Sequence, residues 1–219
     1  MPIDTAQNRA TPLPPESRAR LVRRGLHLEY LTLGWNLLEA AIAIAAGILA
    51  GSIALVGFGI DSVIEMSSGA ILLWRLATDT EEESRERIEA RALKLVGISL
   101  LALAAYVAIE AAKTLIEGEA PHTSYVGIAL AIASLIVMPL LARAKRRVAA
   151  GIASRALVAD SRQTDICAWL SAILLAGLVL NAWQGWWWSD PAAALLMVPF
   201  IAKEGVEALK GERSCACQP

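Results

Sequence analysis

Six apolar runs, each long enough to cross a lipid bilayer as a helix, leave this chain little room for any other fold. They occupy residues 30–50, 52–74, 95–116, 125–142, 157–183 and 191–208. A helix needs about 20 residues to cross the ~30 Å hydrocarbon core, and it satisfies its own backbone hydrogen bonds there. The mean hydropathy of +0.52 agrees with this interpretation. We therefore predict an all-α polytopic membrane protein with six transmembrane helices.

The basic residues indicate how these helices are oriented. Of the 20 Lys and Arg residues, all but Lys113 fall in the N-terminal tail, at the C-terminal end, or around the connections after the second and fourth runs. Cytoplasmic loops are enriched in Lys and Arg, so both termini are predicted to be cytoplasmic. Residues 1–28 are predicted to be a disordered cytoplasmic tail, residues 29–209 the transmembrane domain, and residues 210–219 a short cytoplasmic tail.

Two carboxylates lie near the middle of the second run. Asp61 stands roughly 14 Å inside its outer end, and Glu65 lies ~6 Å deeper at a rise of 1.5 Å per residue. Their spacing of four residues places both on one helix face, where they repel each other. A neighbouring helix could satisfy the pair, but no Lys or Arg stands at matching depth in the other runs. Protons or a divalent cation could neutralise it, and exchange between these states is the chemistry of a cation–proton antiporter.

The fifth run offers two candidate faces. Asp160 and Thr164 form one pair at a spacing of four residues, and Ser161 and Asp165 form the other. At 100° per residue Asp160 and Asp165 lie ~140° apart, so only one of them can point squarely at a shared site. Asp165 lies deeper and is preferred on that ground, whereas Asp160 could pair with a nearby arginine or face the entry path.

Other polar residues within the runs have separate predicted roles. Asn36 and Glu39 in the first run, together with Thr164, are candidates for a proton relay or a gate. Cys167 is expected to be a packed small apolar residue. Cys215 and Cys217, near the end of the chain, are expected to belong to a frayed tail.

The second and fifth runs resemble the cation diffusion facilitator family. Residues 51–55 (GSIAL) followed by 61–65 (DSVIE) are similar to the family's second-helix signature, with Glu65 where Asp is usual. Residues 161–165 (SRQTD) are similar to its fifth-helix pattern His-x-x-x-Asp, with Ser161 where His is common. A register one residue earlier would place Asp160 and Thr164 in that pattern instead.

This resemblance implies six helices with cytoplasmic termini and a metal site formed by Asp61, Glu65 and Asp165, with Ser161 or a water and with Asp160 as the alternative. It also implies export of a divalent metal cation from the cytoplasm in exchange for protons, and a homodimer in the bilayer. All-oxygen ligation favours Mn²⁺ or Fe²⁺, with Co²⁺ and Zn²⁺ also open. Because the chain ends soon after the sixth run, we do not expect the cytoplasmic domain that many family members carry.

Two further functions differ from export. A non-transporting membrane sensor or partner subunit would bind the metal without moving it across the bilayer. An enzyme is not expected, because serines in the runs have no His or Lys at depth to activate them. No nucleic acid is expected among the partners, and the compact chain favours the inner membrane of a bacterium.

Overall fold

Six α-helices make up the described part of the chain, which comprises residues 15–77, 82–152 and 155–210 of a computed structural model. They are α1 Pro15–Ala50, α2 Ile53–Ala77, α3 Glu82–Glu117, α4 Tyr125–Ile152, α5 Arg155–Gln184 and α6 Ser189–Leu209. The prediction of an all-α protein with six helices is confirmed, and apart from Ser52 each predicted run lies within one helix. The tail predictions for residues 1–14 and 211–219, including Cys215 and Cys217, fall outside the described residues.

Five of the six helices are long and apolar enough to cross a membrane. The exception is α6, whose 21 residues include four charged side chains: Asp190, Lys203, Glu204 and Glu207. This helix nevertheless packs along α3 and against α5. Met197 and Ile201 in its middle are buried in the same core cluster as residues of the other helices. The sixth helix is therefore an integral part of the bundle.

The first helix begins earlier than the sequence predicted. Residues 15–28, expected to belong to a disordered tail, are helical and continuous with the first apolar run. Leu21 and Leu28 pack against Val148 of α4 and Leu157 of α5. Burial of these side chains stabilises the segment, because packing of an apolar face supplies most of the stability of helices in proteins. The structure thus differs from the expected disordered tail over residues 15–28, which it describes as helix.

Glycines allow close contact where neighbouring helices cross. In the bundle α1 lies along α2 and α4, α3 along α6 and α2, and α5 along α4 and α6. A Cβ added at Gly97 of α3 would lie 2.8 Å from the backbone oxygen of Gly205 in α6. One added at Gly47 of α1 would lie 2.8 Å from the backbone nitrogen of Val56 in α2. Small residues let helix backbones approach closely in membrane bundles, so α1–α2 and α3–α6 are two tightly packed pairs.

The α3–α6 contact predicts a stability difference between two glycine-to-alanine substitutions. Gly97→Ala should lower stability by roughly 1–3 kcal/mol, the usual cost of overpacking, because the new methyl group would meet α6 backbone atoms. Gly34→Ala is the matched control, since nothing lies within 4 Å of the added Cβ there. It should be neutral or stabilising by up to about 1 kcal/mol through helix propensity. Unfolding midpoints in detergent would measure both effects, and equal shifts would contradict the close α3–α6 crossing.

Candidate functional site

The two predicted ligands of α2 are buried in the bundle. Asp61 and Glu65 are 3% and 8% exposed, and their spacing places them on one face of the helix. Asn36 of α1 donates a side-chain N–H to Glu65 Oε2 at 3.2 Å. The amide oxygen of Asn36, Oδ1, is buried without a hydrogen-bond partner. An unsatisfied oxygen next to a buried carboxylate is an acceptor-rich arrangement that suits a cation.

Glu39, predicted to be a relay or gate, lies within a network of hydroxyl donors. Its side chain is completely buried. Ser62 of α2 donates to Glu39 Oε2 at 2.8 Å, and Ser134 of α4 donates to Glu39 Oε1. Trp35 Nε1 in turn donates to Ser134 Oγ at 3.4 Å. Hydrogen bonds to a charged group are stronger than neutral ones, so this network holds α1, α2 and α4 together around one carboxylate.

Glu39, Asp61 and Glu65 form one electrostatic unit, which we call the central carboxylate cluster. Glu65 is close enough to both of the others for their negative charges to repel. Cys167 of α5 borders the cluster, with its Sγ 3.8 Å from Glu39 Oε2 and its thiol in contact with Glu65. Glu204 of α6 adds a further carboxylate within electrostatic range of Glu65. Groups from α1, α2, α5 and α6 therefore converge on one region.

Sequence reasoning did not assign Cys167 or Glu204 to this region. Cys167 is packed in the apolar core as expected, but its thiol also faces carboxylates. It follows Asp160 by seven residues and so shares its face of α5, a signal that could have found it. Glu204 stands among other charged residues near the end of α6, and the sequence gives no sign that it is the buried one.

The two candidate faces of α5 meet different partners. Asp160 pairs with Lys145 of α4. Asp165, preferred from the sequence for its depth, is instead 35% exposed and pairs with Arg146. The ~140° rotation between the two aspartates explains why they meet different partners. Within the ranges that the structure describes, no group of three or more His, Cys, Asp and Glu side chains is arranged to hold a metal ion.

The two hydroxyls of α5 that were predicted near the site bond to their own helix in this conformation. Ser161 and Thr164 are both buried. Ser161 Oγ donates to the backbone oxygen of Val158 at 2.7 Å, and Thr164 Oγ1 donates to that of Asp160 at 3.2 Å. A hydroxyl that donates its proton to a carbonyl retains acceptor lone pairs. Either oxygen is therefore chemically able to accept a cation.

A fully buried lysine lies near the end of the bundle where α1 begins. Lys145 is 0% exposed, its Nζ lies 3.2 Å from Glu29 Oε2, and it also pairs with Asp160. The fourth apolar run ends at residue 142, so the sequence assigned Lys145 to the following loop, whereas α4 continues to Ile152 and carries it into the bundle. The sequence suggested a nearby arginine as a partner for Asp160, and the structure gives this lysine as one partner. We call Glu29, Lys145 and Asp160 the ion triad.

Hydrogen bonds between side chains and backbone groups of three connections hold the opposite end of the bundle. Ser52 Oγ donates to Asp190 Oδ1 at 2.5 Å, and the backbone N–H of Ala54 donates to Asp190 Oδ2 at 3.5 Å. The backbone N–H of His122 donates to the backbone oxygen of Ala50 at 2.8 Å. These bonds connect the α1–α2 turn to the start of α6 and to the α3–α4 connection.

Carboxylates and an ammonium are buried between the helices of this membrane bundle. Such buried charges are typical of membrane proteins that bind or transport ions. The model of the cation efflux transmembrane domain matches residues 30–214. The chain therefore belongs to the cation efflux family, also called the cation diffusion facilitator family, and the resemblance found in the sequence is confirmed.

Individual relatives are similar to most of the chain at modest identity. Transmembrane protein 163 of Xenopus laevis is 25% identical over 212 residues, covering 94% of this chain and 75% of that protein. An uncharacterized transporter of Methanocaldococcus jannaschii is 27% identical over 179 residues, covering 79% of this chain and 63% of the relative. An uncharacterized transporter of Synechocystis is 26% identical over 171 residues, covering 75% and 55% respectively. The chain thus spans between about half and three quarters of the length of these relatives.

The Glu39 network predicts different effects for two serines on the same helix. Ser62 Oγ contacts both Glu39 and the backbone oxygen of Phe58, whereas Ser67 Oγ contacts the backbone oxygen of Val63 and is exposed. Ser62→Ala should destabilise the protein by about 1–3 kcal/mol, because a buried carboxylate loses a donor. Ser67→Ala removes only a bond to its own helix and should change stability by less than ~0.5 kcal/mol. Thermal unfolding in detergent would measure the difference, and similar losses in both variants would argue against the network.

Proposed function

We propose that this protein exports a divalent metal cation from the cytoplasm in exchange for protons, through a site built on Asp61 and Glu65. The observation that carries the proposal is the burial of these two carboxylates on one face of α2. Membership of the cation efflux family supports a cation as the cargo. Two of the relatives are named as uncharacterized transporters, which supports movement across the membrane.

Electrostatics explains why these carboxylates suit exchange. Neighbouring carboxylates in a poorly solvated site cannot both hold a negative charge at low cost, so they take up a proton or a cation. A divalent cation neutralises both, and it must displace the protons that the carboxylates held. Release of the cation on the other side then requires protons to return. Metal movement and proton movement are thereby coupled in opposite directions.

Ligands beyond Asp61 and Glu65 are proposed to come from α1 and α5. The unsatisfied amide oxygen of Asn36 lies on the residue that already contacts Glu65. On α5, Asp160 is the favoured carboxylate because it shares a helix face with Cys167, which borders the central carboxylate cluster. The Ser161 and Asp165 face is the alternative, and would require Asp165 to leave Arg146. Glu39 and Thr164 are proposed to relay protons or gate the site.

The choice of metal is proposed to follow from the thiol beside the carboxylates. Oxygen ligands alone favour hard or borderline ions such as Mn²⁺ and Fe²⁺. A thiol in contact with Glu39 and Glu65 shifts the preference towards Zn²⁺ and Co²⁺, which accept sulfur as well as oxygen. We therefore rank Zn²⁺ and Co²⁺ ahead of the other two.

Orientation and assembly complete the proposal. The basic residues around the N-terminal segment, the α2–α3 and α4–α5 connections and the C-terminal end favour cytoplasmic termini by the positive-inside rule. All six helices are proposed to span the membrane, with α6 tolerated because it packs on α3 and α5. A homodimer in a bacterial inner membrane is the proposed assembly and location.

Metal uptake into proteoliposomes tests the function. An acidic lumen should drive uptake of Zn²⁺ or Co²⁺, and uptake should stop when an ionophore dissipates the proton gradient. Asp61→Asn and Glu65→Gln should each reduce the initial rate by at least ~10–100-fold, the loss typical of groups that hold or orient a metal. Glu117→Gln is the matched control, because it neutralises an exposed carboxylate at the end of α3, and it should keep the wild-type rate.

Two results would contradict this proposal. Equal rates in Asp61→Asn and Glu117→Gln would show that the buried pair does not carry the cation. Saturable metal binding that depends on Asp61, without flux of any of the four metals, would support the alternative of a non-transporting sensor or partner subunit.

A further inference from the structure

The ion triad joins three helices through a single ammonium. Lys145 of α4 contacts Glu29 of α1 and Asp160 of α5, and the exposed fractions of Lys145 and Glu29 are 0% and 1%. Burial of an ammonium is costly, and here two carboxylates compensate for it. The triad offers two carboxylates to a single ammonium. The ammonium therefore has two partners where one would neutralise it.

Within the triad, Glu29 has unused acceptor capacity. Its Oε2 contacts Lys145, whereas its Oε1 is buried without a hydrogen-bond partner. A carboxylate can accept through both oxygens, so Glu29 alone could hold the ammonium if Asp160 were engaged elsewhere. The structure thus contains a place for Lys145 that does not need Asp160.

Asp160 is the member of the triad that shares a helix face with a residue of the central region. Along α5, Asp160, Thr164 and Cys167 follow one helix face, and Cys167 contacts Glu39 and Glu65. The charge of Lys145 also acts on Glu65. Asp160 is therefore placed to serve either the ammonium at one end or a cation at the cluster, and these two cations compete for the same carboxylate.

We propose that Lys145 is a tethered counter-cation that occupies Asp160 when no metal is bound, and that the arriving divalent cation takes Asp160 from it while the ammonium stays on Glu29. This inference rests on the proposed transport function and deepens it by naming the group with which the metal competes. It explains why, in the described residues, the predicted ligands of α2 and α5 do not form a metal-binding group. The α5 ligand is held by the ammonium of the chain itself.

Displacement of Lys145 also has a structural consequence. A small apolar cluster of Leu21, Leu28, Val148 and Leu157 packs α1, α4 and α5 together on the side of the triad nearer the start of α1. The ion triad and this apolar cluster join the same three helices. Release of Asp160 from Lys145 removes this ionic contact between α4 and α5 and leaves the apolar contacts in place. Metal binding and the closure of this end of the bundle are thereby linked through one carboxylate.

Binding of Co²⁺ to the full-length detergent-solubilised protein tests the inference, with visible absorption reporting the metal's ligands. The key variant is Lys145→Gln combined with Glu29→Gln, which removes the ammonium together with the buried carboxyl group that would otherwise lose its partner. Without its competitor, Co²⁺ should bind about tenfold more tightly than to the wild type, equivalent to 1.4 kcal/mol. Adding Asp160→Asn to this pair should abolish the gain. Lys145→Arg, which retains the cation, should bind Co²⁺ like the wild type.

Arg143→Gln is the matched control, because it removes a positive charge from an exposed position of the same helix and should change affinity less than about twofold. Unchanged affinity in the Lys145→Gln, Glu29→Gln pair, or a gain that persists with Asp160→Asn, would overturn the inference and leave the proposed function standing. If the wild type shows no Co²⁺ binding that depends on Asp61, the proposed function and this inference both fail.

Discussion

Burial of charge is the constraint on which the rest of this bundle depends. Six buried carboxylates and a buried lysine occur among the described residues: Glu29, Glu39, Asp61, Glu65, Asp190, Glu204 and Lys145. Apolar surroundings make each charge costly unless hydrogen bonds or an opposite charge compensate for it. Most of the polar contacts between helices compensate for a buried charge in this way. The packing of the helices and the placement of the charges therefore depend on each other.

The buried carboxylates differ in how many hydrogen bonds or opposite charges compensate for their burial. This difference indicates where the functional site lies. Glu39 receives hydroxyl donors from Ser62 and Ser134, which offset part of the cost of its burial. Glu65 receives one amide N–H from Asn36 while it is repelled by Asp61, Glu39 and Glu204. The excess of negative charge therefore concentrates at Glu65, where a proton or a cation lowers the energy most. A transport site needs this property, because it must bind its cargo and also release it.

The sequence predicted the features that depend on length and spacing. Apolar runs gave the six helices, and the four-residue spacing of Asp61 and Glu65 gave a shared buried face. Features that depend on rotation and on helix ends were not predictable in this way. Lys145 follows the apolar run, and only the continuation of α4 to Ile152 shows that it is buried. The depth of Asp165 was readable from the sequence, whereas its contact with Arg146 depends on rotation about α5.

The two ends of the bundle differ in the kind of bond that holds them, and this difference bears on where a cation can act. At one end Asp190 is held by Ser52 and a backbone N–H, which are neutral donors. At the other end Asp160 is held by an ammonium, which a divalent cation replaces charge for charge and with charge to spare. Under the proposed competition, a cation arriving from the side of the ion triad weakens that end directly. The two ends therefore differ in how they would respond to a cation, and in the proposed cycle the end at the ion triad is the one that the metal engages.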